Sequence, residues 1–227
     1  MKKISLPLIL LLSMLGTNAL KAQEGLKIGL RFSPIVSFPL ITDENGNNIP
    51  GDVVSNKLGL SYGLMVNYGI RDNYGLYSGI HIVRKGFERT LTLDSLSATQ
   101  DVTITSIDIP IALKGRSNEV GNGLFIYGIF GASLDVRFGY KNQWTGRDPV
   151  TLEVAESGTT QKAALVNPLG ISFLFGAGTE WVIDRVGTIN AGLIFHRALI
   201  NQNNKSEFNN NEQIKVSYLS LDLGYFF

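Results

Sequence analysis

The strict alternation of the last stretch, 214–227, constrains this chain more than any other feature. It reads IKVSYLSLDLGYFF. Every second residue back from the end is large and apolar, and these are Phe227, Tyr225, Leu223, Leu221 and Leu219. The residues between them form a mixed face that includes Gly224, Asp222 and Ser220. A period of two predicts a β-strand with one apolar face and one mixed face.

The same alternation returns about eight times, in segments of roughly ten residues, as in outer-membrane β-barrels. Strands are predicted at about 25–37, 57–70, 76–88, 101–115, 124–140, 165–182, 188–200 and 214–227. Polar loops at 39–56, 90–100, 141–164 and 201–212 alternate with the short turns RDNYG, SNEVGNG and DRVG. We therefore predict an all-β fold, an eight-stranded antiparallel transmembrane β-barrel with short periplasmic turns and long extracellular loops.

Three features mark the predicted third and fourth strands. The parity of the fourth strand slips near Thr105, which predicts a β-bulge. Pro110 on the same strand lacks an N–H and removes one ladder hydrogen bond. The far end of the third strand, RKGFER, is charged, and we expect it to lie beyond the membrane.

Composition agrees with a membrane barrel. The chain is 44% hydrophobic and 17% charged, whereas about a quarter of a soluble domain is charged. No apolar run after residue 22 is long enough for a spanning helix, so the apolar side chains must face a core or lipid. The absence of cysteine excludes a disulfide, a thiolate metal site, a cysteine nucleophile and a lipoprotein anchor.

The N-terminal segment 1–22 predicts a cleaved secretory signal peptide, which leaves 23–227 as the outer-membrane β-barrel domain. Two lysines precede an apolar core at 4–16, and we expect cleavage near Ala22. This core is short for a membrane span, which argues against a retained anchor. Cleavage leaves 17 basic and 19 acidic residues, a net charge of −2, so there is no electrostatic reason to expect nucleic acid as a partner.

Two strands and the C-terminus carry a pattern found in a known family. GLYSGIHIVRKG (75–86), SIDIPIALKGR (106–116) and the closing YFF resemble the PorT-like outer-membrane β-barrel family of Bacteroidetes. The resemblance implies an outer-membrane location and insertion by the barrel-assembly machinery, for which Leu223, Tyr225 and Phe227 are the expected C-terminal signal. The namesake of the family assists protein secretion, but no residue-level role carries over.

Eight charged residues fall on the face that the alternation turns inward. They are Lys27, Arg31, Asp108, Lys114, Asp135, Arg137, Glu180 and Asp222. A charge inside a narrow barrel is costly unless it is paired, so we predict a structural salt-bridge network that fills the lumen. By register, Arg31 and Asp222 lie at similar depth on adjacent strands, and Asp108 faces Asp135. A conducting path through this network remains an alternative.

The chain contains two histidines, His81 and His196, and we expect them on strands that lie across the barrel from each other. A metal site needs more ligands at close spacing, so we expect neither a metal nor another cofactor. His196, with Ser206 in the following loop, keeps an outer-membrane enzyme open as an alternative. No third catalytic group is identifiable, so we assign no catalytic residue.

The sequence thus favours a structural or interaction protein of the cell outer membrane rather than an enzyme. Its expected partners are outer-membrane lipid, the assembly machinery during insertion, and an extracellular protein or glycan that the loops contact. The alternatives are a narrow pore, a transport- or secretion-associated barrel, and the enzyme above. A soluble lipocalin-like barrel is a further reading, and it predicts an apolar interior and a polar exterior.

Overall fold

The structure is a computed structural model that describes residues 25–43, 45–47, 52–93, 96–147, 154–160, 167–202 and 213–227. These residues form nine antiparallel β-strands. The strands are β1 (Leu26–Thr42), β2 (Asp52–Arg71), β3 (Tyr74–Leu93), β4 (Leu96–Arg116), β5 (Leu124–Arg147), β6 (Val154–Thr160), β7 (Leu169–Ile183), β8 (Gly187–Ala198) and β9 (Gln213–Phe226). The segment 1–22, predicted to be a signal peptide, lies outside the described residues.

Eight of these strands close into a barrel. Their order is β1-β2-β3-β4-β5-β7-β8-β9, and β9 pairs with β1 to complete the ring. The predicted eight-stranded antiparallel barrel is therefore confirmed. The short strand β6 is additional, because it pairs with the end of β5 beyond β7, from Asn142↔Thr160 to Arg147↔Val154. Within the described residues, no helix has the length and apolarity needed to cross a bilayer.

The two ends of the barrel differ in their connections. At the turn end, β2 and β3 are joined by residues 72–73, β4 and β5 by 117–123, and β7 and β8 by 184–186. We call the opposite end the loop end. Both ends of the described chain lie at the turn end, since Gly69 donates a backbone hydrogen bond to Gly25 and Phe227 donates one to Ile28.

Three of the predicted loops are shorter than expected. The 39–56 loop gives up its flanks to β1 and β2, and the 141–164 loop contains β6. The predicted 90–100 loop was wrong for most of its length, because β3 runs to Leu93, β4 begins at Leu96, and these two residues pair. The threonine-rich sequence of this hairpin favours extended backbone, although its polar residues are also typical of a loop.

Two backbone irregularities fall on β4 and have separate causes. The predicted bulge is confirmed as a register shift between Thr105 and Ser106 in the pairing with β5. Pro110 lies outside that bulge. It keeps its pairing with Ser133 of β5, but the ladder towards β3 is interrupted between the pairs Ser78↔Ile111 and His81↔Asp108. The missing proline N–H explains this gap.

The polarity of the barrel is inverted relative to that of a soluble protein. Among the described residues, 34 large hydrophobic side chains are exposed, while 24 polar or charged residues and 17 hydrophobic ones are buried. The exposed set follows the predicted outward parity, for example Leu30 and Phe32 on β1 and Leu221 and Leu223 on β9. The lipocalin-like alternative, which requires a polar exterior, is therefore wrong.

Candidate functional site in the barrel interior

The barrel interior holds the charged residues that the sequence singles out, and the ion pair of Arg31 with Asp222 lies at its centre. Arg31 on β1 donates through Nε to Asp222 Oδ1 on the neighbouring β9, and both side chains are about 1% exposed. Ser33 Oγ donates to the same carboxylate oxygen at 3.0 Å, and Asn190 Nδ2 donates to Asp222 Oδ2 at 3.1 Å. The carboxylate is thus satisfied by three donors from β1 and β8.

The guanidinium of Arg31 ties further strands to this pair. Its Nη1 lies 2.9 Å from His81 Nδ1 on β3 and 3.3 Å from Ser61 Oγ on β2, and its Nη2 lies 3.3 Å from Ser220 Oγ on β9. One planar cation therefore contacts three strands besides its own. The fixed fork of donors on arginine suits such a role better than the single ammonium of lysine.

A second ion group lies on the loop side of this centre. Asp135 Oδ2 on β5 accepts hydrogen bonds from Lys85 Nζ at 2.8 Å and from Arg137 Nε at 3.0 Å. Arg137 Nη1 also donates to the carbonyl oxygen of Asn167 at 2.8 Å. The interior lacks a side chain at Gly170, where an added Cβ would collide with the Arg137 guanidinium. The glycine therefore makes room for the arginine.

Lys85 is the functional residue that sequence reasoning missed. It belongs to the RKGFER stretch, which was expected to lie beyond the membrane as a charged strand end. Lys85 and Phe87 are 3% exposed and Arg89 is 7% exposed, so all three point into the barrel, whereas their depth relative to the membrane stays a prediction. The signal was available, because the alternation that turns Val83 inward continues through these positions.

The third ion pair lies near the turn end. Lys114 Nζ of β4 is 2.6 Å from Glu180 Oε1 of β7, and both side chains are 4% exposed. The ammonium also lies over the rings of Tyr127 and Phe226, at 4.1 and 5.5 Å from their centroids. Lys27, the remaining lysine of the predicted set, is half-buried at the same end and lines a cavity there.

Asp108 and the two histidines occupy the middle of the interior. Asp108 pairs in register with Asp135, as expected, and its Oδ2 lies 4.0 Å from His81 Nδ1. His196 is 2% exposed and stacks on Tyr218, with ring centroids 4.3 Å apart. Neither nitrogen of His196 has a hydrogen-bond partner among the described residues.

The two histidines border one small space although they come from β3 and β8. That space is also lined by Arg31, Tyr77 and Pro110, and it leaves no room for a water molecule. In the described part of the chain, no group of three or more histidine, aspartate or glutamate side chains has a geometry that could hold a metal ion. Ser206, which kept an enzyme open as an alternative, lies outside the described residues.

Apolar side chains separate and cap these ionic layers. A turn-side cluster contains Met65, Tyr77, Ala112, Tyr127, Ile129, Leu174, Ile194 and Phe226. A loop-end cluster contains Ile41, Phe87, Val102, Ile104 and Val216, with Val54, Tyr140 and Ile214 packed against it. A third set, Ile35, Val83 and Tyr218, lies between the ion groups. Side chains thus fill the described interior from the turn-side cluster to the loop end.

The residues of the expected assembly signal lie on β9 and at the residue that follows it. Leu223 is 40% exposed and Phe227 is 62% exposed. Tyr225 packs its ring against Phe227 with centroids 5.5 Å apart, and its hydroxyl donates to the carbonyl oxygen of Val186. These side chains face outward, while Phe226 between them is buried.

Register and side-chain orientation together define a class of protein, namely a closed eight-stranded antiparallel β-barrel with an apolar exterior and an ion-paired interior. No family model matches the sequence, and no curated protein matches it.

Three solved structures match most of this chain at low sequence identity. The outer membrane protein OprG from Pseudomonas aeruginosa is 15% identical over 89% of this chain and 96% of that chain, with a TM-score of 0.48. Neisserial surface protein A is 12% identical over 87% of this chain and 95% of that chain, with a TM-score of 0.41. Ail, the attachment invasion locus protein of Yersinia pestis, is 13% identical over 90% of this chain and 99% of that chain, with a TM-score of 0.37.

Proposed function

We propose that this protein is an integral outer-membrane β-barrel with a closed lumen that acts as a structural or interaction protein through its external part. The apolar exterior supports the membrane location, because soluble proteins rarely expose apolar patches larger than a few hundred Å². Closed barrels and helices are the structures that satisfy all backbone groups in lipid. The turn end, which carries both ends of the described chain, then faces the periplasm.

The observation that carries the closed lumen is the buried Arg31–Asp222 network. Its members are almost inaccessible, and the space beside them is too small for a water molecule. A narrow pore needs a continuous hydrated path, whereas this layer and the loop-end cluster are both packed with side chains. The eight-strand barrel is just wide enough for its own side chains to fill, which gives the same result on general grounds.

The lengths of three strands support an external role. β3, β4 and β5 have 20, 21 and 24 residues. A tilted strand needs about 9–11 residues to cross a bilayer, so each of these has on the order of ten residues to spare. The excess at the loop end forms a sheet that continues beyond the membrane, to which β6 adds a further strand. We propose that this sheet and its loops contact an extracellular protein or glycan.

Assembly and processing complete the proposal. A signal peptide at 1–22 would direct export, and Leu223, Tyr225 and Phe227 would serve the barrel-assembly machinery during insertion. The PorT-like family remains the proposed family on the motifs at 75–86 and 106–116. We propose no catalytic function, since His81 and His196 are buried around a space that admits no water or substrate.

The membrane location and the closed lumen can be tested on one preparation. Washed outer membranes should contain a band that migrates differently in boiled and unboiled samples, as detergent-resistant barrels do. The purified protein should show no unitary conductance in planar bilayers. A soluble periplasmic protein without a heat shift would refute the location, and steady conductance in the wild type would refute the closed lumen.

The external role needs a separate test. Removing residues 90–99 from the β3–β4 hairpin should abolish binding of the extracellular protein or glycan to the barrel. The heat-shifted band should persist. A matched variant that replaces the exposed turn-end residue Asn118 with serine should bind as the wild type does. Retained binding by the shortened hairpin would refute the role that we assign to this hairpin.

A further inference from the structure

A basic cavity opens at the turn end, and none of the functions above uses it. Its lining includes Lys27, Asn67, Arg71, Lys114, Arg116 and Glu180. Its volume is about 50 Å³, and its walls are mainly polar. We call this cavity the turn-end mouth. Unlike the space around the histidines, it admits water-sized groups.

The charges of the turn-end mouth do not balance. Its lining contains four basic residues and the two acidic residues Asp72 and Glu180. Lys114 already pairs with Glu180, and Arg116 donates to the carbonyl oxygen of Asp72 at 3.0 Å rather than to its carboxylate. A net positive charge therefore remains on the lining of a concave, partly desolvated cavity. An anion is attracted more strongly there than on an open surface.

Lys27 is a cation of the turn-end mouth that the charge of Glu180 attracts without a direct ion pair. Its side chain is half-buried, and it makes no hydrogen bond or ion pair with the described residues. A partly desolvated ammonium without a partner is unfavourable unless a counter-ion or water satisfies it. Asn67 borders the same space, and its buried Oδ1 also lacks a partner. Because amide oxygen and nitrogen positions interchange by a flip, Asn67 can present N–H donors to the mouth.

Arg116 is held in place without using all its donors. Its guanidinium lies over the Phe125 ring at 4.3 Å from the centroid, and one nitrogen donates to the Asp72 carbonyl. The other N–H groups remain available for a ligand. A planar arginine fork beside a lysine ammonium is the donor set that tetrahedral phosphate oxygens accept with short, charge-assisted hydrogen bonds.

We propose that the turn-end mouth binds a phosphate group, with Lys27 and Arg116 as its main donors. Glu180 limits the affinity for highly charged anions, because its carboxylate lies in the same cavity. The phosphate could belong to a soluble periplasmic compound or to the headgroup of a phospholipid in the inner leaflet. This side of the membrane follows from the proposed function, whereas binding itself does not depend on it.

The test titrates the full barrel, in a zwitterionic detergent, with inorganic phosphate. Binding is followed by the NMR chemical shifts of the backbone amides. We expect saturable shifts confined to the turn end. Lys27→Gln and Arg116→Gln should each weaken the affinity at least about tenfold, and Lys27→Arg should retain it, because arginine keeps the charge and the donors. Arg84→Gln and Lys141→Gln, which remove exposed basic residues nearer the loop end, should change the affinity less than twofold.

Three results would overturn the inference. Shifts that never saturate, shifts that chloride reproduces, or equal losses in the control variants would each show general charge screening in place of a site. Every variant is first checked for its heat-shifted band. A barrel that folds but binds no phosphate refutes this inference alone, whereas a chain without the heat shift refutes the proposed function.

Lipid nanodiscs then identify the source of the phosphate. If the natural ligand is a headgroup, discs with anionic phospholipid should weaken the binding of inorganic phosphate at least about fivefold relative to phosphatidylcholine discs, by competition. Equal affinity in both discs supports a soluble ligand. Both results support the site, and the same Lys27→Gln variant should remove the difference between the discs.

Discussion

The two ends of the barrel interior differ in polarity, since the turn end is lined by charged side chains and the loop end is packed with apolar ones. At the turn end, Lys27, Lys114 and Glu180 line a mouth that water can enter. At the loop end, Phe87, Val102 and their neighbours form a dry apolar cluster. Between them lie the Arg31–Asp222 pair and the Lys85–Asp135–Arg137 group.

The difference shows that one barrel interior can contain both a packed core, at the loop end, and a cavity open to water, the turn-end mouth. Burial of ionic groups is tolerated in the centre because Asp222 and Asp135 each accept a hydrogen bond from a buried cation. Removing one member of such a pair would leave the other charge buried without a partner. The loop-end cluster needs no such pairing and resembles the core of a soluble domain. The turn end keeps uncompensated positive charge only because water reaches it.

The largest expected effect comes from breaking the ionic centre that separates the two ends. Asp222→Ala leaves Arg31 buried without its carboxylate, and we expect a loss of about 3–5 kcal/mol in unfolding free energy. Urea unfolding of the barrel in detergent micelles measures it. Asp184→Ala, in an exposed turn, should change the value by less than about 0.5 kcal/mol. Equal losses in the two variants would show that the central pair is not needed for stability.

The next effect concerns the apolar end. Ile104→Ala removes a side chain that is 2% exposed in the loop-end cluster, and the transfer and cavity terms together should cost about 2–4 kcal/mol. Ile126→Ala deletes the same atoms from an outward side chain that is 52% exposed, so it should cost less in micelles. If both substitutions cost the same, the loop-end cluster is not packed as a core.

A smaller effect tests the fit between the ionic and apolar layers. Gly170→Ala places a methyl group against the Arg137 guanidinium, which should shift that side chain and cost about 1–3 kcal/mol. Gly128→Ala is the matched control, because the nearest atom to its added Cβ is 4.0 Å away. Unfolding of the two variants under one condition makes the comparison. A neutral Gly170→Ala would mean that Arg137 has another low-energy position.

The smallest effect concerns an ion pair outside the buried layers. Lys57 donates to Asp101, and the side chains are 22% and 38% exposed. Exposed pairs contribute about 0.2–1 kcal/mol and weaken in salt, so Lys57→Ala should cost at most about 1 kcal/mol, and less in 1 M salt. A loss as large as that of Asp222→Ala would remove the distinction between buried and exposed ion pairs.

The sequence was sufficient for the fold because alternation encodes the two faces of every strand. The period of two placed Arg31, Asp108, Asp135 and Asp222 inside and placed the β4 bulge within one residue. It also set the order of the eight barrel strands, which follow one another around the ring as they do along the chain, whereas β6, which pairs with β5, was not predicted. What it misjudged were the strand ends, since polar residues favour a loop locally but extended pairing also satisfies them.

Alternation by itself determined which face each side chain occupies, and the tertiary structure alone decided which side chains meet. Lys85 pairs with Asp135 across 50 positions of sequence, and Lys114 pairs with Glu180 across 66. Such contacts depend on the tilt and closure of the barrel, which set the height of each residue and which no local pattern contains. Closure also brings His81 and His196 to one space, and it places Lys27 at the turn end without an ion pair to any described residue.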